Sequence, residues 1–231
     1  MVAILPFYLA VATACSPERG PRTARIQIPA PGLAGSVIPN AAMQPALVLL
    51  PPSYDAGTER YPVIYYLPGF TTDVGEYIDG SFDGFDFART LQRSVAAGLV
   101  RPCIVVIVNG RNVLGGSFFV DSPITGRWET YVVRDVVAQV ESRYRTLARP
   151  EARGVAGESM GGFGALHLAM RHPDLFGAVF ALSPGLFDSL GFETHWMLSP
   201  PYADAWWMTV DRMHTLFPYT TLFRSDRKSV V

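Results

Sequence analysis

The seven residues Ala156, Gly157, Glu158, Ser159, Met160, Gly161 and Gly162 constrain this chain more than any other stretch. They hold the pattern G-x-S-x-G. A serine on a sharp strand-to-helix turn takes a strained backbone conformation, and Gly157 and Gly161 beside it let the strand and the helix approach closely. The turn lifts the hydroxyl to the end of a sheet. The backbone N–H of Met160 then faces the oxyanion that forms when Ser159 attacks a carbonyl. Glycine and serine are common in loops, so the surroundings carry the weight. Residues 153–157 read as a short buried strand and 163–170 as a helix, which stops at His172 because the residue before Pro173 is pushed out of the helical region. Strand, turn and helix are the context that the pattern requires.

The chain has 231 residues, enough for one sizeable domain. Apolar residues make up 49% and charged ones 17%, which gives material for a core and excludes a disordered chain. The net charge is −1 with no basic cluster, so nucleic acid is not an expected partner. The four histidines and two cysteines show no ligand spacing, so no metal is expected. Gly-x-Gly-x-x-Gly is absent from the first strand turn, which disfavours a dinucleotide, and no cofactor is expected.

The two ends stand apart. Residues 1–15 read as a leader: an apolar run from Val2 to Ala14, too short to span a bilayer, with small residues before Cys15 as at a bacterial lipoprotein processing site. Export is expected, with Cys15 as the candidate lipid attachment point to a membrane. Cys103 lies in an apolar run and reads as a small core residue. At the other end, Lys228 is the only lysine among the 19 lysines and arginines. Codons chosen for residues 220–225 can read out 226–231 on the opposite strand, an inverted repeat that resembles a translated sequencing adapter. Residues 215–231 are therefore read as a non-native tail and set aside.

Between the ends, 16–45 is a proline- and glycine-rich lead-in with a short strand at 25–28. Strands follow at 46–50, stopped by Pro51 and Pro52, and at 61–67, ending at Pro68 and Gly69. Residues 82–97 contain an amphipathic helix with Phe87, Leu91 and Val95 on one face. The run 104–108 is a strand buried on both faces. A long glycine-bearing loop, 109–126, has the length of a functional loop. Residues 128–144 form a helix whose face carries Val132, Val133, Val136, Val137, Val140 and Tyr144. The serine strand and helix come next, then a strand at 178–182. Strands alternate with helices, so the fold class is α/β: a mostly parallel sheet with helices on both faces. Residues 46–214 form the domain. Beyond Ser183 and Pro184 the pattern is irregular, with Trp196, Trp206 and Trp207.

Several blocks together resemble one family, the esterase family of α/β-hydrolases that includes S-formylglutathione hydrolases, feruloyl esterases and mycolyltransferases. They are Leu50-Pro51-Pro52-Ser53-Tyr54, the strand 61–67 before a glycine, Gly126-Arg127-Trp128-Glu129-Thr130-Tyr131, Tyr144-Arg145-Thr146, the G-x-S-x-G turn, and Phe176-Gly177-Ala178 leading to Leu182-Ser183-Pro184. They span 45–188 in the family's order. The resemblance implies an α/β-hydrolase fold, Ser159 as nucleophile, and an oxyanion hole from the backbone N–H groups of Met160 and Phe70. Many members carry His-Gly where this chain has Pro68-Gly69. Trp128 and Glu129 resemble a block near the family's substrate pocket.

A serine needs a base beside it to act as a nucleophile. In α/β-hydrolases an acid and then a histidine follow the serine in chain order. His167 and His172 sit in or at the end of the serine's helix and are not expected to reach back. His195 and His214, with Asp188, Asp204 or Asp211, lie in a stretch without strand pattern. The expectation is that the acid and histidine are missing, that the C-terminal part of the domain is missing with them, and that the chain as written is nearly inactive. The reading is a serine hydrolase of small-molecule carboxylic esters. Acyl transfer through the same acyl-enzyme, and a non-catalytic binding protein that keeps the fold, are the alternatives.

Overall fold

The structure, a computed structural model, describes residues 22–82 and 84–186. Among these described residues eight strands form: β1 (Arg22–Pro29), β2 (Met43–Leu50), β3 (Val63–Leu67), β4 (Ile104–Val108), β5 (Asp121–Ser122), β6 (Gly126–Arg127), β7 (Arg153–Glu158) and β8 (Ala178–Leu182). Six of them make one sheet in the order β1-β2-β4-β3-β7-β8. The four strands from β4 to β8 run parallel, and β2 and β1 add to that sheet antiparallel. The short pair β5 and β6 forms a separate antiparallel ribbon.

The helices are α1 (Glu76–Asp79), α2 (Phe87–Ala96), α3 (Trp128–Thr130), α4 (Val137–Arg143) and α5 (Met160–Arg171). Side chains alternate across a strand, and the core divides accordingly. Ala46, Val48, Ile104, Val106 and Val155 face one layer, where the α3–α4 region and α5 pack. Leu47, Leu49, Val105 and Ile107 face the other, with Tyr77, Ala88 and Cys103 under α1 and α2. The chain thus has the expected α/β architecture, with helices on both faces of a mostly parallel sheet.

Several elements differ in extent from their expected ranges. The strand expected at 25–28 is β1, which runs from Arg22 to Pro29 and pairs along its whole length with β2. Ile28, Ala30 and Leu33 are fully buried, so the domain's packing reaches back into the expected lead-in. β3 starts at Val63 because Pro62 has no N–H to donate; Tyr61 before it forms only a bridge to Thr146. α2 starts at Phe87, where the Asp86 carboxylate accepts the Arg89 N–H at 2.8 Å as an N-cap. The helix expected at 128–144 is interrupted: Tyr131–Val136 is a π turn between α3 and α4. A π turn inserts one extra residue per turn, which hydrophobic spacing alone does not disclose.

The leader, the tail at 215–231 and Trp196, Trp206 and Trp207 lie outside the described residues. Among the described residues no helix is long and apolar enough to cross a membrane, and no cluster of histidine, cysteine and carboxylate side chains could hold a metal ion.

Candidate active site

β7 ends at Glu158, α5 begins at Met160, and Ser159 is the single residue between them. Its backbone has φ 50° and ψ −116°, a combination that a residue with a Cβ rarely adopts. Three hydrogen bonds hold it there. The Ser159 N–H donates to the Leu182 carbonyl at 3.0 Å, and the Ser159 carbonyl accepts from Phe163 N–H at 3.0 Å and Gly185 N–H at 2.8 Å. The residue is exposed. The close approach around it explains both flanking glycines. A Cβ on Gly161 would overlap the Leu67 carbonyl oxygen, and one on Gly157 would overlap the Gly161 carbonyl and lie 2.7 Å from that of Leu67. The end of β3 is thus pressed directly against the serine turn.

The chain that leaves β3 there carries Gly69 and Phe70. The Gly69 N–H donates to the Tyr77 hydroxyl at 3.2 Å. Its carbonyl accepts the Thr72 N–H at 3.4 Å, and the Thr71 N–H donates to the Gly115 carbonyl at 2.9 Å. The Tyr77 hydroxyl in turn donates to Glu158 Oε1 at 2.5 Å. Phe70 and Met160 converge on the loop that follows β4: a Cβ on Gly116 would overlap Met160 Sδ and lie 2.7 Å from Phe70 Cδ2. Two glycines in that loop therefore admit the side chains of both expected oxyanion-hole residues.

The same loop brings aromatic rings up to the start of α5. Phe70 and Phe118 have ring centroids 6.2 Å apart, and Phe118 meets Phe163 edge-on at 6.0 Å. All three are half-buried, and Phe163 lies one helical turn beyond Ser159. Phe118 and Phe119 both have positive φ, 54° and 55°. Phe119 is fully buried, its ring set against Gly110 and Gly164. The loop's length marked it as functional in the sequence; its aromatic packing carried no periodic signal there.

Trp128 and Glu129 are both buried and serve the packing of α3. The Trp128 indole donates to the Thr125 carbonyl at 2.7 Å, and its ring meets Tyr131 edge-on. Glu129 accepts three hydrogen bonds from α5 and its end: from Arg171 Nε at 2.8 Å, His167 Nε2 at 2.9 Å and His172 Nε2 at 2.8 Å. Burial acts to raise the Glu129 pKa, but these three donors outweigh it and hold it at about 2, below the ordinary 4.5. His167 lies two helical turns along α5, about 12 Å from the serine end at 1.5 Å per residue, and both histidines are engaged by Glu129. Among the described residues neither is placed to take a proton from Ser159. His195, His214, Asp188, Asp204 and Asp211 lie outside them.

Comparisons with known proteins bear on the family and the fold. The esterase family model matches residues 40–221, well over half of the chain. An esterase of Mycobacterium tuberculosis is 35% identical over 152 residues, which cover 64% of this chain and 31% of that protein. This chain thus spans less than a third of that relative. A ferulic acid esterase structure superimposes with a TM-score of 0.60 at 26% identity, covering 71% of this chain and 59% of its own. An S-formylglutathione hydrolase from Agrobacterium tumefaciens shares the fold, with a TM-score of 0.55 at 20% identity over 71% of this chain and 58% of its own. With the strained serine turn and the sheet order β1-β2-β4-β3-β7-β8 in place, the family match identifies this chain as a member of the esterase family of α/β-hydrolases.

Proposed function

We propose that this protein hydrolyses carboxylic esters through an acyl-enzyme on Ser159. The observation that carries the reading is the strained, exposed Ser159 at the start of α5, with the Leu67–Pro68 end of β3 pressed against its flanking glycines. The Ser159 oxygen attacks the ester carbonyl carbon, and the carbonyl oxygen takes the negative charge. The Met160 and Phe70 backbone N–H groups receive that charge, and the positive end of α5 favours it further. The carbon–oxygen bond to the alcohol then breaks and the alcohol leaves with a proton. Water hydrolyses the acyl-serine in the second half of the cycle. The base that takes the Ser159 proton belongs to the protein outside residues 22–186, because His167 and His172 are held by Glu129.

The proposed acyl group is aromatic, on two grounds: the rings of Phe70, Phe118 and Phe163 cluster beside the start of α5, and a relative at 26% identity is a ferulic acid esterase. The test is turnover of a chromogenic ester by the full-length protein. Ser159→Ala should lower it by at least 1,000-fold, roughly the loss expected when a triad serine is removed, and leave thermal stability nearly unchanged. Retention of most of the activity would reject the nucleophile. A hydroxycinnamoyl ester should be turned over with higher kcat/KM than the matching acetyl ester, and the reverse order would reject the aromatic acyl group.

Export with lipid attachment at Cys15 is part of the same proposal, supported by the apolar run before that cysteine. Mass spectrometry of the mature N-terminus distinguishes a diacylglyceryl cysteine from an unprocessed start.

A further inference from the structure

The Tyr77 phenol links the two halves of the proposed oxyanion site. It donates to Glu158 Oε1 at 2.5 Å and accepts from the Gly69 N–H at 3.2 Å. Glu158 is the residue before Ser159, and Gly69 is the residue before Phe70. One buried oxygen therefore ties the strand that delivers the nucleophile to the turn that delivers the second N–H donor. Tyr77 itself is fully buried, stacked on Phe82 at 5.0 Å and met edge-on by Tyr66 at 5.3 Å. Its hydroxyl position is thus set by packing on the α1–α2 side of the sheet.

The geometry fixes a direction as well as a distance. A peptide unit is planar, so the Phe70 N–H points where the Gly69–Phe70 plane points. The Gly69 N–H is bound to Tyr77, and the Gly69 carbonyl accepts Thr72 N–H at 3.4 Å. With both polar groups of Gly69 held, the plane that follows it has little freedom. The space at Gly69 is closed from the same side, since a Cβ there would lie 3.2 Å from Glu158 Oε1. Burial pushes the Tyr77 phenol pKa up, so the proton stays on its oxygen and points at the carboxylate.

We propose that Tyr77 and Glu158 are positioning residues that hold the Phe70 N–H in register with Ser159 for the developing oxyanion. The proposal rests on the serine-esterase reading above. Neither side chain touches the substrate; both act through Gly69. An oxyanion donor matters in the transition state far more than in the ground state, so the loss of this link should fall on kcat.

The test uses the full-length protein and one ester. Tyr77→Phe keeps the ring packing and removes both hydrogen bonds. It should lower kcat roughly tenfold or more, below the full loss of one oxyanion donor, with KM within about twofold. Glu158→Ala should do the same, while Glu158→Gln, whose amide oxygen still accepts from Tyr77, should restore most of kcat. Amide exchange at Gly69 provides a readout independent of turnover and should speed up in Tyr77→Phe and Glu158→Ala but not in Glu158→Gln. Equal kcat in wild type and Tyr77→Phe, or a Glu158→Gln loss as deep as that of Glu158→Ala, would overturn the link. Should Tyr77→Phe misfold, the two Glu158 variants and their Gly69 exchange decide the matter. Ser159→Ala separates the two levels. If it is inactive and Tyr77→Phe is not impaired, only the positioning role falls; if Ser159→Ala retains turnover, both fall.

Discussion

At the scale of single residues, the site is a set of close backbone approaches that few side chains allow. Ser159 is held at φ 50° by three hydrogen bonds, and the strain is imposed by its surroundings. Glycine carries no penalty at that φ. Ser159→Gly should therefore be more stable than Ser159→Ala by about 1 kcal/mol, measured by chemical unfolding of the two inactive variants. Equal stabilities would show that the turn is not strained. Gly161→Ala places a methyl group on the Leu67 carbonyl. It should cost at least about 3 kcal/mol, the range of overpacking and forced backbone shifts, and an unfolding midpoint near that of wild type would contradict the packing described. These roles were legible from the G-x-S-x-G spacing together with the strand before it and the helix after it, which give the approach its context. The Tyr77–Glu158 link was not, since its partners lie 81 positions apart and neither residue type signals the other.

At the scale of elements, α5 is fastened at both ends. Its start is the serine turn; its end is tied to α3 through Glu129. The sequence marked Glu129 only through a family resemblance near the substrate pocket, whereas its side chain is spent on this tie. No local pattern could have paired it with His167, Arg171 and His172, which are brought to it by the packing of α5 against the α3 region. The depressed pKa gives the tie a pH signature. A carboxyl whose pKa is lower folded than unfolded stabilises the fold above its unfolded value and loses that contribution as the pH falls. The Glu129 contribution should be complete above about pH 4.5 and fade toward pH 2. Glu129→Gln should lower the melting temperature at pH 7 and flatten its decline between those limits. An unchanged acid limb would place the titration on other groups. Element positions were read well where apolar runs were continuous, as at β4 and β8. Where local chemistry decides, bounds were less legible: the helix within 82–97 was expected without its Asp86 cap, and the π turn before α4 was missed.

At the scale of the whole molecule, the sheet places its chemistry where strand ends meet helix starts. The order β4-β3-β7-β8 sets the Gly69–Phe70 turn beside the serine turn, because β3 and β7 are neighbours. The alternation of strands and helices already implied that parallel arrangement. It did not show how exposed the far edge is. Among the described residues β8 is the outer strand, and Val179, Phe180 and Leu182 are 45%, 64% and 52% exposed. An apolar edge of this kind pairs with other chains unless it is covered. A chain ending at Leu186 should self-associate, with Phe180→Lys reducing it, as read by light scattering after size exclusion. A monodisperse monomer without the substitution would contradict this account of the edge.

If Ser159 carries the acyl group, that group can be trapped on it. The full-length protein, quenched in acid during turnover of a slowly hydrolysed aromatic ester, is digested and its peptides weighed. One peptide, containing Ser159, should be heavier by the mass of the acyl group, with no such peptide in Ser159→Ala. An acyl mass on any other residue, or turnover with no acylated peptide at any time, would contradict that role of Ser159.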